Sequence, residues 1–469
     1  MQSDWEYRQL KDCATWYSGG TPRKSNSEYW GGSIPWISAK SLCDFFVEDS
    51  EEKVTELGAK NGTRLVPEDT ILFVVRGMSL KSEFRIGIAQ HPVTFNQDLK
   101  ALIAKPDLLP SFLAYVLKAK SVDILNLVGE AGHGTGVLPT DRIQSVDIPV
   151  PSIQEQREIL NVIESIDGKI RLNRQTNQTL ENMAQALFKS WFVDFDPVLD
   201  NALAAGNPIP PTLEARAESR KALQQAEPGT PLPEHIRQLF PSGFVFDAEM
   251  GWIPEGWEVT ELNSLINIKH GFAFKGEFFS ATPTDDILLT PGNFRVGGGF
   301  KGDKLKYYNG PIPEDYVLTH NDLLVTMTDL SKAGDTLGYP ALVPDSDKYC
   351  YLHNQRLGKV IFKVETIGRE FIYRCLTTKE YRDEILASVS GSTVKHTAPN
   401  KILTHSVAYS KGIVEPAFEE LCGKFSAKMS INEKNSLALE RLRDTLLPKL
   451  ISGELRIPEA QQQAAATVA

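Results

Sequence analysis

Cysteine is scarce and scattered: five residues, at positions 13, 43, 350, 375 and 422, odd in number and never in CxxC spacing. That argues against a disulfide framework and against a cysteine-ligated zinc site. No apolar run approaches the roughly 18 residues of a membrane helix, and no signal peptide opens the chain. A soluble, cytoplasmic protein without membrane contact is expected. The sequence also lacks GxxxxGK followed by Ser or Thr, the loop that cradles nucleotide phosphates. Missing too is the acidic-Pro-Pro-aromatic motif used to flip and methylate adenine.

An excess of positive charge is absent as well, since the formal net charge is −10. Its distribution is uneven. Residues 193–255 carry 4 Lys+Arg against 10 Asp+Glu, whereas 1–151 carry 16 against 19 and 256–412 carry 18 against 18. More than half of the acidity therefore sits in one link, and the two flanking stretches are near neutral. Either could hold a local basic face, but a tight grip on phosphates would need help from a partner.

What is present is a long helix. Ser152 followed three residues later by Glu155 is a capping box. Behind it runs a seam of Ile159, Ile163, Ile166, Ile170, Asn173, Asn177, Leu180, Ala184, Leu187 and Trp191, in steps of alternately four and three. That is a heptad pattern, the signature of a helix packed lengthwise on another. Moving the seam forward by 259 residues, from Ile159 to Phe418, gives Cys422, Phe425, Met429, Asn432, Ser436, Leu439, Arg443, Leu446 and Leu450. The partner helix is thus in the same chain. Asn173 and Asn177 fall on Asn432 and Ser436, a polar break that costs stability but pins register. Because the break is central, it fits parallel and antiparallel pairing alike.

The stretch before each helix is also duplicated. Trp5-Glu6 matches Trp257-Glu258, and the glycine turn SGGTPRK corresponds loosely to KHGFAFKGE. PEDTILFVV from Pro67 parallels HNDLLVTMT from His320, and Phe95-Asn96-Gln97 aligns with His353-Asn354-Gln355. The runs IPWISA, DTILFVV, IGIAQ and DLKALIA read as strands, and LLPSFLAYVLKAK as a helix. Expected boundaries are a strand-rich lobe over 1–151, a helix over 152–192, an acidic Ala/Pro-rich linker over 193–255 with one exposed helix, a second lobe over 256–412, a second helix over 413–453, and a disordered Gln/Ala-rich tail over 454–469. The copies differ most in their loops, where ligands are read.

The chain resembles the specificity subunit of type I restriction-modification complexes. QALFKSWFVDFDPV from Gln185, MGWIPEGWEV from Met250, GFAFKGEFF from Gly271 and LRDTLLPKLISGEL from Leu442 carry the resemblance. It implies an α+β fold with two target recognition domains joined by two long antiparallel coiled-coil helices, a pseudo-twofold internal repeat. Each lobe would read one half of a split site in double-stranded DNA, and the helix pair would set the gap. The chain itself would be non-catalytic and bind no cofactor. S-adenosylmethionine, ATP and Mg would belong to two methyltransferase subunits and to restriction/translocase subunits.

Base edges are read by Arg, Lys, Asn and Gln, and phosphates are held by Lys, Arg, Ser and Thr. In the first lobe the candidates are Arg23 and Lys24 in the glycine turn, and Lys40 and Ser41 after IPWISA. The basic loop RGMSLKSEFR adds Arg76, Ser79, Lys81 and Arg85, and the turn GHGTG adds His133 and Thr135. In the second lobe they are Lys269, His270 and Lys275, then Asn293 and Arg295, Thr328 and Lys332, and Lys395 and His396. Against each stands the plain reading of a solvated loop group. Phe272 and Phe274 could stack on bases, but aromatics beside glycine usually anchor a turn. Asn96-Gln97 and Asn354-Gln355 suit adenine chemically, yet their presence in both copies marks them as scaffold, since readers of different half-sites should differ. Phe188, Trp191, Phe192 and Leu450 exceed what one seam needs and would dock a methyltransferase subunit, or else pack on their own lobes. The alternatives are a nuclease with its own active site and a protein-binding adaptor. For the former, DSEEK from Asp49 reads better as a solvated turn.

Overall fold

The computed structural model describes residues 5–131, 134–226, 232–331, 333–389, 391 and 394–468. The chain forms two compact units, Met1–Gln175 with Asn432–Ala469, and Thr176–Ile431. Each unit holds one lobe and a stretch of both long helices.

In the first unit, DTILFVV supplies the strand Ile71–Val74, every residue of which is buried. Only a central strand covered on both faces can be that apolar. It pairs antiparallel with Leu99–Ala104 on one side and Ile86–Ala89 on the other. Ala14–Ser18 and Phe46–Val47 close the two edges. A second sheet runs in the order Lys53–Val54, Trp30–Ile37, Val93–Phe95, Leu65–Val66. The helix Pro110–Ala119 covers the core with Phe112 to Leu117 all buried. Glu6–Gln9 pairs with Asp147–Val150, so the lobe begins and ends at the foot of its long helix.

The second unit repeats this plan. Leu323–Thr326, again wholly buried, lies between Leu357–Phe362 and Pro340–Leu342. Ile266–His270 takes the outer place. The parallel pair Trp30–Ile37 and Val93–Phe95 recurs as Asp286–Leu289 and Cys350–His353. Glu258–Glu261 closes on Ser406–Tyr409. The two glycine turns correspond closely: a Cβ on Gly19 would lie 2.3 Å from the Phe95 carbonyl oxygen, and one on Gly271 would lie 2.1 Å from that of Asn354. Glycine alone lets the chain pass so close to a backbone there.

The long helices run over Ile153–Phe188 and Glu415–Ile451. The capping box forms as expected, with the Glu155 amide donating to Ser152 Oγ (3.3 Å) and the Ser152 amide to Glu155 Oε2 (3.0 Å). At the second helix Ser410 Oγ accepts the amides of Ile413 (3.0 Å) and Val414 (2.7 Å). The heptad positions Ile159, Ile163, Ile166, Ile170, Leu439, Leu446 and Leu450 are buried in the first unit, as are Ala184, Phe418 and Cys422 in the second. Asn177, Leu180, Leu187, Phe425 and Met429 are half-buried. In the first unit Asn173 Nδ2 donates to the Asn432 carbonyl (3.4 Å) and to Ser436 Oγ (3.3 Å). Arg443 meets Asp167 at 2.7 Å. In the second, Asn177 Nδ2 donates to the Met429 carbonyl (3.1 Å), and the rings of Phe188 and Phe418 are 5.8 Å apart. Ascending numbers on one helix meet descending numbers on the other, so the pairing is antiparallel within each unit. The Asn173 and Asn177 amides each have an acceptor on the facing helix, which a slipped register would remove.

Two expectations are corrected. Residues 193–255 are no loose linker. They form the helices Asp196–Ala205 and Glu214–Ala226 and the hairpin Phe244–Asp247 with Gly251–Pro254. Phe195, Val198, Phe240 and Ile253 sit in the second unit's core. Asp196 is held by a two-pronged Arg216 contact at 2.9 Å on both prongs, which consumes some of the charge that made the stretch look solvated. The tail is likewise a helix, Ile457–Val468, with Ala460 and Ala464 buried against the first unit. Alanine every fourth residue gives a stripe too narrow to register as apolar composition. Among the described residues no helix is long and apolar enough to cross a membrane.

Candidate nucleic-acid interface

Immediately after its central strand, each unit places a short ladder outside its two main sheets. In the first, Arg76–Gly77 pairs with Thr135–Val137, Arg76 facing Val137 and Gly77 facing Gly136. In the second, Thr328–Asp329 pairs with Lys395–His396, Thr328 facing His396 and Asp329 facing Lys395. The two pairings correspond, although a third strand, Gly129–Ala131, extends the first ladder, and the side chains differ at every one of these positions.

The first unit gathers a polar group here. Arg76 and Lys81 are exposed. Ser79 lies in the turn Met78–Lys81, and Lys81 Nζ stands 3.1 Å from where a Cβ on Gly134 would be. Thr135 is half-buried in the ladder. Arg85 reaches this region but is spent inside the protein, donating to Glu83 at 2.9 Å and to the Ala39 carbonyl at 3.2 Å. It braces the turn that carries Lys40, which is exposed. Ser41 caps that turn, its Oγ accepting the Ser38 amide at 2.8 Å. Arg23 and Lys24 lie elsewhere, beside the second sheet. Lys24 pairs with Glu52 and sits 3.8 Å over the Trp30 ring, so its charge is already answered. His133 lies outside the described residues.

In the second unit Thr328, Lys395 and His396 come together, with Thr328 Oγ1 3.2 Å from His396 Nδ1. Thr328 is a correction: it is 5% exposed and so positions the histidine, and only the half-buried Lys395 and the exposed His396 face outward. Asp329, unsuspected from sequence, organises the following loop. Its carboxylate accepts the Ser331 amide (2.6 Å), the Thr336 amide and the Thr336 hydroxyl (2.8 Å). Burial alone would raise its pKa, but these hydrogen bonds outweigh burial and hold the carboxyl below its ordinary range. Arg382 fixes the loop from the other side through the carbonyls of Gly334 and Leu337. Lys332 lies outside the described residues.

The other second-lobe candidates do not join this group. Lys269 donates to the Asp315 carbonyl at 2.9 Å and lies 4.9 Å over the Tyr316 ring. His270 and Arg295 are exposed, and Lys275 stands 3.7 Å from Glu277. Asn293 is a correction: it is 0% exposed, and its amide donates to the carbonyls of Lys301 (3.2 Å) and Lys304 (3.0 Å). It closes a loop and cannot reach a base. Phe274 is buried and Phe272 partly exposed, their rings 5.1 Å apart. Asn96 and Asn354 do the same backbone work, each Oδ1 accepting the amide two residues on, at 3.1 Å and 3.0 Å.

The expected docking face on the helices is corrected as well. Phe188, Trp191 and Phe192 are buried in the second unit's core, and Leu450 in the first unit's. Sequence overvalued them because bulk at a helix end looks the same whether its own lobe or a partner covers it. The large apolar residues the long helices leave exposed are others: Leu172 and Met183 on the first, and Ile431, which is Leu172's repeat partner, and Leu437 on the second.

A lobe built twice, each copy rooted on an antiparallel helix pair and each presenting a different polar ladder from the same frame, defines a class: a two-headed recognition protein. Residues 2–182 match the family described as type I restriction modification DNA specificity domain. The MjaIX type I restriction enzyme specificity subunit of Methanocaldococcus jannaschii is 26% identical over 98% of this chain and 95% of its own. The HindI specificity subunit of Haemophilus influenzae is 28% identical, covering 81% of this chain and 87% of its own. The type I S subunit of M. genitalium shares the fold, with a TM-score of 0.50 at 14% identity over 95% of this chain and 96% of that one. Over nearly its whole length the chain is thus similar to the specificity subunits of type I restriction-modification systems, and residues 2–182 match their family model.

Proposed function

We propose that each unit reads one half of a bipartite site in double-stranded DNA, through the loops around its short ladder. The observation that carries this is the pair of repeat-related ladders with unlike side chains: Arg76, Gly77, Gly136 and Val137 in one, Thr328, Asp329, Lys395 and His396 in the other. Corresponding frames with unlike side chains are what two different half-sites require. The helix pair, registered by its buried amides, sets the unread gap. Two methyltransferase subunits and the restriction/translocase subunits supply the S-adenosylmethionine, ATP and Mg chemistry, and the outward Leu172, Met183, Ile431 and Leu437 are the apolar helix positions such partners would cover. These partners also supply phosphate contacts that an acidic chain lacks.

The test is made on the full chain assembled with its methyltransferase subunits, mapping methylated adenines in DNA. The doubly substituted Lys395→Ala, His396→Ala chain should change or relax one half of the mapped site and leave the other half and the gap intact. A change spread over both halves, or an unchanged site, overturns the assignment of one half-site per unit.

A further inference from the structure

Among the described residues, five large apolar side chains are more than 60% exposed: Met78, Val122, Phe246, Val296 and Leu330. Two of them are the same position in the repeat. Met78 follows Arg76–Gly77 and Leu330 follows Thr328–Asp329, so each stands directly beyond its ladder. A lone exposed apolar residue is ordinary and needs no explanation. The recurrence of one, at 62% and 64% exposure, within both polar groups described above is not ordinary.

Both residues stand on rigid supports. Met78 opens a turn whose Leu80 is 2% exposed and packed so closely on the neighbouring strand that a Cβ on Gly136 would lie 2.8 Å from Leu80 Cβ. Leu330 sits between Asp329 and Ser331, on the loop that the Asp329 carboxylate and Arg382 clamp from opposite sides. The clamping is achieved by unrelated residues in the two units, yet the outcome is alike. An apolar tip held out from a stiff base, with Arg76 and Lys81 flanking one in the chain and Lys395 and His396 on the strand paired beside the other, has the chemistry of a wedge for stacked bases. A protein-docking surface would instead offer a contiguous apolar patch with a polar rim.

We propose that Met78 and Leu330 each insert between two adjacent base pairs, one wedge per half-site. The proposal rests on the reading of each unit as a DNA reader and adds the manner in which the duplex is engaged. Side chains that differ between the ladders distinguish the two sequences. The wedge, common to both, performs the step both halves share, which is local unstacking. The turn beneath each wedge is ordered before DNA arrives, so little ordering cost falls on binding.

The experiment uses the full chain assembled with its methyltransferase subunits and duplexes carrying the mapped site, with 2-aminopurine placed at successive positions. Footprinting and co-purification of the subunits are followed in parallel. In the unsubstituted complex, fluorescence should rise at one position in each half-site. Met78→Ala should abolish the rise in one half only and weaken binding on the order of tenfold, as expected for losing a buried Met side chain. Leu330→Ala should do the same in the other half, while Met78→Leu should retain the signal. A preserved footprint with no enhanced position, or with enhancement untouched by either alanine, overturns the wedge and leaves the DNA reading standing. Loss of the methyltransferase subunits from Met78→Ala or Leu330→Ala would mark the residues as a protein contact instead and overturn it too. No footprint from the unsubstituted complex would sink both readings.

Discussion

The buried contact between Asp167 and Arg443 offers a quantitative test of how the first unit is fixed to its helices. Asp167 Oδ1 receives Arg443 at 2.7 Å, and Asp167 Oδ2 receives the Tyr115 hydroxyl at 2.6 Å from the lobe helix. Three elements therefore meet on one carboxylate whose side chain is 8% exposed. Removing one partner of a buried pair costs about 3–5 kcal/mol, because the other charge is left in a poor solvent. The two removals are unequal here. Asp167→Ala strands both Arg443 and the Tyr115 hydroxyl and should cost about 3–5 kcal/mol. Arg443→Ala leaves Asp167 its tyrosine, and Arg443 is 15% exposed and shared with Asp444 at 2.8 Å. Its loss should lie nearer about 2 kcal/mol. The double substitution Asp167→Leu, Arg443→Leu should cost less than Asp167→Ala, about 1–3 kcal/mol, since no charge is stranded and only the Tyr115 hydroxyl loses its partner. Urea unfolding of the full chain, followed by a probe in the first unit, gives the three values, and a double-substitution cycle gives the coupling. Losses under about 1 kcal/mol for Asp167→Ala would place the pair with ordinary surface pairs and refute the argument.

The second unit should be the acid-sensitive one. Burial lowers the pKa of His353 to about 4, against the Leu357 carbonyl that it faces at 3.0 Å, and Phe95 occupies its place in the first unit. With a folded pKa below the unfolded one of about 6.5, the stabilisation is complete above pH 6.5 and is lost as pH falls towards 4, on the order of 3 kcal/mol. His353→Phe should flatten that slope, and a slope unchanged by the substitution would discount the residue. Asn96→Ala and Asn354→Ala should each cost about 1 kcal/mol in unfolding experiments with no change in mapped methylation sites; a shifted site would make them readers after all. Inserting one heptad at Asn173 and a matched one at Asn432 lengthens each helix by about 10 Å. The unread gap should grow while both half-sites persist. An altered half-site with an unchanged gap would refute the ruler.

Much of the architecture was legible because it was written twice. The heptad steps from Ile159 and their echo from Phe418 located both helices to within a few residues, and the FNQ and HNQ tripeptides aligned the lobes on a backbone-capping asparagine. Antiparallel pairing could not be read, because a central polar layer looks the same from either end. The stretch from 193 to 255 misled because folded helices stapled by ion pairs have the composition of a solvated link. At the ladder, Arg76, Lys81, Thr328, Lys395 and His396 were nominated from residue type alone. Asn293 failed on the same basis, since an amide that bonds carbonyls and one that bonds adenine are identical in sequence. Asp329, Met78 and Leu330 escaped notice, although the 252-residue spacing between the last two was available. An exposed apolar residue looks like a core residue until its neighbours are known.

The first unit is made of two pieces far apart in the chain, Met1–Gln175 and Asn432–Ala469, and its core includes Leu446, Leu450, Ala460 and Ala464. During synthesis the first lobe must therefore wait, half-built, while some 250 later residues emerge and collapse around their own centre. A premature stop near the end of the message would spoil the head that the ribosome began with and spare the one it made last.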